Sequence, residues 1–413
     1  MADSYQWVAA RNSDHIRSLM SDQAGKTLIA VGSGGSLSTA EVAVALHRHY
    51  HQSPAIAMTP LELEASTPKS PHTSVWLFSG SGRNVDIRRA LRACAAIEDI
   101  GLTIFCARLS SPLEMDARKL YVDRLMTFDT ELGKDGFLAT NSLLASAGLL
   151  ASAFIELPND LNALIKSAGT LLSDPASKIS VQAALEDRPY VIILHGPSGK
   201  AGALDLESKF SESAIVSSSV TDYRNFAHGR HNWINRFGRE TAIIAFLGPG
   251  EETLAERTLE IVPKSVPRSV ISLGTDFALA QILAVHYSIQ ITDWVAELHA
   301  LDPGRPKIPS FGRKLYNLPT RMTRKSSRLP ASHLYVARKR SALGAARSAD
   351  DDLQDWKKSY TAYRRKLRAA EIRAIVLDFD GTVVAKQDRF DPPTAAISRK
   401  LQEIARAGLP IGY

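Results

Sequence analysis

With only two cysteines in 413 residues, the chain has no disulfide framework and no thiolate-rich metal motif. Cys94 sits in an apolar helical pattern and Cys106 closes an apolar run, which points to buried free thiols in a reducing compartment. A secretory leader is missing too: the first twenty residues, MADSYQWVAARNSDHIRSLM, carry acids and lack the basic-then-apolar order of a signal peptide. The expected location is therefore the cytoplasm. Long hydrophobic runs are scarce. Residues 136–155 are uncharged for about one membrane-helix length, but Thr140, Asn141, Ser142, Ser146 and Ser152 interrupt them, so the segment reads as a buried helix with a polar edge. Neither GxxxxGK[ST] nor the GxGxxG of dinucleotide folds occurs, which removes nucleotide cofactors from first place.

What the chain does have is 45% hydrophobic residues and length enough for two or three domains. Its net charge of +7 is unevenly spread: residues 305–371 hold 18 Lys and Arg against 5 Asp and Glu, so the remainder is mildly acidic. This basic stretch reads as a solvated linker, and no membrane or nucleic-acid partner is expected.

Twice in the first ninety residues an apolar run stops in a Ser/Gly turn and continues into a helical pattern: LIAVGSGGS (28–36) and VWLFSGSGRNVD (75–86). A buried parallel strand reads as such a run. The turn after it presents amides at a helix N-terminus, where the dipole favours an anion. Hydroxyls of Ser33, Ser36, Ser79 and Ser81 add donors, so a small phosphorylated metabolite is the expected ligand. Strands and helices alternate through residue 157, with a long helix expected over 136–157. The order then repeats: YVIILHGPSGKAG (190–202), TAIIAFLGPGEE (241–252) and SVISLGTD (269–276) again run strand into turn. The fold class is α/β, with two doubly wound parallel sheets related by a weak internal duplication.

Between the strands at 190 and 241, Lys209, Glu212 and His228 are the titratable groups of interest, with Arg230 and His231 close behind. Lys209 and Glu212 are three apart, as in a helix-surface ion pair. A loop histidine is by default solvated.

These residues carry a resemblance. The two α/β units resemble the sugar isomerase (SIS) family, in particular the double-SIS isomerase region of glucosamine-6-phosphate synthase and the fructosamine-phosphate deglycases. GSGGS (32–36) stands where that family has its first phosphosugar turn, and SGSGRNVD (79–86) resembles its SxSGxTxDT loop, with Asn84 replacing the usual Thr. The family's Lys-x-x-Glu helix and following His-Gly pair match Lys209, Glu212 and His228-Gly229. The resemblance implies that Gly34, Ser36, Ser79, Ser81, Asn84 and Ser110 hold a sugar phosphate. NFAHGRHNW departs from the family in everything except His-Gly, so the substrate's other end is expected to differ, with Arg230 and His231 placed to read an acidic substituent. The resemblance also implies that Glu212 moves a proton between two sugar carbons while His228 helps open the ring. A carboxylate in a water-poor pocket suits that task, because desolvation raises its pKa. Lys209 would tune the carboxylate or bind a hydroxyl. Lys314, with Lys307 behind it, would be the tail lysine that meets the open-chain carbonyl. No cofactor is required for this chemistry. A homodimer with shared active sites follows, His228 facing the partner's Glu212. Ala at position 2, and no cysteine near the start, argue against a glutaminase.

LDFDGT (377–382), after an apolar strand, resembles motif I of the haloacid dehalogenase (HAD) phosphatases. That implies Asp378 as nucleophile, Asp380 as acid/base, and Mg2+ bound by both once a complete domain supplies the other acids. Only about 30 residues follow, so this piece is expected to be inactive and the natural chain to continue. The expected organisation is a first SIS domain over 1–170, a second over 171–300, a basic tail over 301–370 and an incomplete HAD-like domain over 371–413. The expected activity is aldose–ketose isomerisation or deglycation of a sugar phosphate. A non-catalytic phosphosugar sensor is the other reading left open.

Overall fold

A computed structural model describes residues 1–66, 72–95, 97, 100–120, 122, 124–130, 135–167, 175–316, 318, 350–384 and 389–412. The chain divides into two compact units, residues 1–328 and 329–413.

The first unit opens with α1 (Ala2–Ala9) and α2 (Asp14–Ser21). Asn12 Oδ1 accepts the Asp14 amide and restarts the chain as a second helix. Then come β1 (Thr27–Val31), α3 (Gly35–His51), β2 (Ala55–Met58), α4 (Pro60–Ala65), β3 (Thr73–Ser79), α5 (Val85–Cys94), β4 (Gly101–Cys106), α6 (Pro112–Lys119), β5 (Arg124–Thr127) and α7 (Asn141–Ala151). The five strands form a parallel sheet of order β2-β1-β3-β4-β5. Helix α7 is shorter than the expected 136–157: Asp135 accepts from the Thr140 hydroxyl and the Asn141 amide and sets the start at 141.

Helices α8 (Leu161–Ser167) and α9 (Pro175–Leu185) lead to β6 (Tyr190–His195) and α10 (Lys200–Glu212). Strand β7 (Ser217–Asp222), α11 (Tyr223–Asn225), a π-turn over Phe226–Arg230 and α12 (Asn232–Phe237) follow. The half closes with β8 (Thr241–Leu247), α13 (Glu252–Ile261), β9 (Arg268–Ser272), α14 (Phe277–Leu298) and α15 (Ser310–Tyr316). Its parallel sheet has order β7-β6-β8-β9, the same winding as the first four strands of the other half. The weak sequence repeat is thus a repeat of topology.

The two sheets share one core, in which Leu28 and Trp76 belong to the same buried cluster as Val191 and Ile244. Helices α3, α7, α10 and α14 pack between the sheets. Helix α14 is buried along nearly its whole length, yet no helix among the described residues is long and apolar enough to cross a membrane. Cys94 and Cys106 are buried and free, as expected, and burial pushes the Cys94 thiol up to about 12.

In the second unit, α16 (Asp350–Ala369) carries Lys366 and Arg368 in its last turn, where bases match the helix dipole. Strands β10 (Ile375–Val376) and β11 (Ile411–Gly412) make a two-residue parallel pair, with α17 (Ala395–Arg406) between them in sequence.

Candidate functional site

In a doubly wound sheet, ligands bind beyond the carboxyl ends of the strands, where the winding reverses. In the first sheet that point lies between β1 and β3, and the turns that leave it are the two Ser/Gly turns. They touch: the Gly80 amide donates to Ser36 Oγ at 3.1 Å. Gly34 takes φ +54°, a left-handed conformation at the start of α3. Gly35 lies so close to Ala139 that a Cβ would meet its methyl at 2.3 Å, which brings the start of α7 against the first turn. Above Gly80 there is space: a Cβ there would meet nothing nearer than Ser142 Oγ, at 3.6 Å.

The donors are distributed differently from the expectation of free helix-end amides. The Ser36 and Leu37 amides bond to Ser33 and Gly34 carbonyls, and Asn84 Oδ1 accepts from the Asp86 and Ile87 amides as the N-cap of α5. A threonine at this position would cap equally well, which accounts for the Asn84 departure. Ser36, Ser79 and Ser81 each accept an amide hydrogen, from Gly80, Gly82 and Arg83, and each keeps its own O–H as a donor. Asn84 likewise retains its Nδ2 hydrogens. Hydroxyls, an amide group and two helix N-termini are thus the donors that these turns offer. Ser110 is exposed at φ +51°; its neighbour Ser111, buried and capping α6, is the residue that packs on Gly82. The sequence reading names Ser110 and not Ser111, because both are turn serines and nothing local tells which one packs inward.

Helix α10 reaches this crevice from the second half. Lys200 pairs with Glu41 at 2.9 Å, and the Ser38 hydroxyl donates to Asp205 at 2.8 Å. Moving up α10 therefore means moving back along α3, toward the first turn. At the end of α10, Ser213 bonds the Pro303 carbonyl, and the next carbonyl, Gly304, accepts the Phe137 amide at 3.2 Å. Turns, start of α7, segment 302–304 and end of α10 form one neighbourhood.

Glu212 is the last residue of α10, exposed, with the Ser208 hydroxyl on its Oε1 at 2.7 Å. The described residues do not enclose it in the water-poor pocket expected around it. A cavity of about 670 Å3 adjoins this end of α10, lined by Ser211, Ala214, Phe210 and His299 among others, and no residue of the two turns lines it. Lys209 does not pair with Glu212. It is buried, with Nζ on Asp205 Oδ2 at 2.6 Å, inside a network completed by Ser38 and Ser288.

His228 lies in the π-turn after β7, exposed, with Gly229 at φ +111°. Helix α10 ends at the amino end of β7 and the π-turn starts at its carboxyl end, so six residues of strand, about 20 Å at 3.3 Å each, separate Glu212 from His228 within one chain. The structure does not bring them together. Arg230 is exposed in the same turn, and Lys314 is exposed on α15 with Lys307 exposed before it.

In the second unit Thr382 Oγ1 donates to Asp378 at 3.2 Å, and Asp380 bridges to Val384. Both aspartates are exposed. Among the described residues no group of three or more His, Cys, Asp or Glu side chains could hold a metal ion.

No family model and no curated protein matches the chain. Solved structures do. The C-terminal domain of glucosamine-fructose-6-phosphate aminotransferase from Francisella tularensis superposes with a TM-score of 0.58 at 15% identity, over 74% of this chain and 94% of that one. The chain shares the fold of that domain. Glucosamine-6-phosphate deaminase from Thermotoga maritima (TM-score 0.53, 13% identity, 74% and 98% covered) and tagatose-6-phosphate ketose/aldose isomerase from Escherichia coli (0.52, 15%, 70% and 90%) share it.

Proposed function

We propose that the chain binds a sugar phosphate in the first crevice and interconverts its aldose and ketose forms, or deglycates it, by carboxylate-mediated proton transfer. The Ser36–Gly80 bond carries this reading, because it joins the two hydroxyl-rich turns at the winding reversal into a single anion grip. Glu212, at the end of the helix directed toward that grip, is the base that removes and returns the proton beside the carbonyl. His228, about 20 Å away in the same chain, serves the site of a second copy, and the working form is a homodimer with shared sites. Lys209 acts as a positioning residue through Asp205, while Lys314 is the tail lysine for the open-chain carbonyl. In the second unit, Asp378 and Asp380 are read as the opening motif of a HAD-type phosphatase.

The exposure of Glu212 favours one alternative, a sensor that binds the phosphosugar without turning it over. One experiment separates the two. Solvent deuterium is followed into a panel of hexose and heptose phosphates with wild type, Glu212→Gln and His228→Ala. Each variant is expected to lose exchange while retaining binding. An equal mixture of the two variants should recover about a quarter of the wild-type rate, since half the dimers are then mixed and each holds one intact site. Binding without exchange in the wild type would establish the sensor; exchange surviving in Glu212→Gln would remove its assigned role.

A further inference from the structure

The duplication gives the second half a crevice of its own, between β6 and β8 where that sheet's winding reverses. The turn after β6 is Gly196-Pro197-Ser198-Gly199 and the turn after β8 is Gly248-Pro249-Gly250-Glu251. By position Gly196 matches Gly32, Gly248 matches Gly80, and Glu251, the N-cap of α13, matches Asn84, the N-cap of α5.

The two N-caps behave differently. Asn84 turns back onto its own helix and leaves the first crevice open. Glu251 makes no side-chain cap; its Oε1 crosses to the other turn and accepts from the Ser198 amide at 2.8 Å and the Ser198 hydroxyl at 2.7 Å, at the start of α10. The carboxylate is packed in: a Cβ on Gly196 would lie 2.0 Å from Glu251 Cδ, and one on Gly248 would lie 1.8 Å from Ser198 Oγ. Glu251 is only 7% exposed, and its Oε2 is buried with no hydrogen-bond partner. A carboxylate buried with one oxygen unpaired is costly. Burial pushes its pKa up, against the pull of the Ser198 bonds. What holds it there is the chemistry that would hold an external anion, a helix-start amide beside a hydroxyl.

We propose that Glu251 is a built-in ligand filling the second crevice, so that each chain offers one phosphate-ester site, and that withdrawing its carboxylate opens a second. This rests on the reading of the first crevice as a phosphate site. The first half supplies the variant that tests it: Glu251→Asn places there the residue found in the open crevice, one able to cap α13 as Asn84 caps α5. Glu251→Ala is the companion should that cap fail to form.

The measurement is the number of inorganic phosphate ions bound per chain at saturation, by equilibrium dialysis on the full-length protein, with thermal melting to verify folding. One ion for wild type and two for the folded variants is the expected result. Equal numbers in wild type and variants, or two ions on the wild type, would overturn the proposal. None on the wild type and one on Glu251→Asn would uphold the role of Glu251 while removing the phosphate site from the first half.

Discussion

At the scale of single residues, the site depends on side chains whose partners the sequence does not disclose. Ser36, Ser79, Ser81 and Asn84 were legible as residues of strand-to-helix turns because strand, turn and helix are contiguous in the chain. Their mutual bonds were not, since Ser36 and Gly80 are forty-four residues apart. The buried histidines set a pH dependence that follows from their burial. His47 and His286 are pushed down from 6.5 to about 4 by desolvation. The unfolded chain takes up these protons near pH 6.5 and the folded chain only near 4, so stability is unaffected above 6.5 and is lost progressively as pH falls through that window. Urea unfolding of wild type and His47→Gln at pH 7 and pH 5 checks this: the loss between the two pH values should be smaller in the variant, and equal losses would contradict it.

At the scale of elements, α10 both joins the halves and presents Glu212. The joint is the buried Lys209–Asp205 pair with Ser38 from α3 and Ser288 from α14 around it. Removing the lysine would strand a buried carboxylate, which typically costs about 3–5 kcal/mol. Lys209→Ala is expected to lower the urea midpoint accordingly, and Lys209→Met combined with Asp205→Leu to recover much of the loss; a midpoint unchanged in Lys209→Ala would contradict the role. The strands missed in the sequence were β5 and β7, and both lie at sheet edges. Edge strands have one open side and need no continuous apolar run: RLMT is half-buried throughout, and SSSVTD has a single buried residue. The central strands β1, β3, β6 and β8 are buried along most or all of their length and were legible for that reason. The helix-surface pair read from Lys-x-x-Glu fails because Lys209 finds the buried Asp205 four residues back, while Glu212 stands at the end of the helix and faces water.

At the scale of the whole molecule, one winding occurs twice and the two copies have diverged in use. The first keeps an open crevice with hydroxyl donors; the second fills its crevice with Glu251 and contributes the helix that carries Glu212. Residues 1–328 hold this pair of sheets as one unit, while the aspartates of 377–382 belong to another. The central claim is that the joined turns grip the phosphate of a sugar phosphate. Calorimetric titration of hexose 6-phosphates into wild type, Ser36→Ala and Ser81→Ala tests it most directly. A hydrogen bond to a charged group is worth about 1.5–3 kcal/mol, so each variant should bind roughly ten- to a hundredfold more weakly, and the unphosphorylated hexoses should not bind at all. Affinity unchanged in both variants, or equal for the phosphorylated and free sugars, would contradict the account.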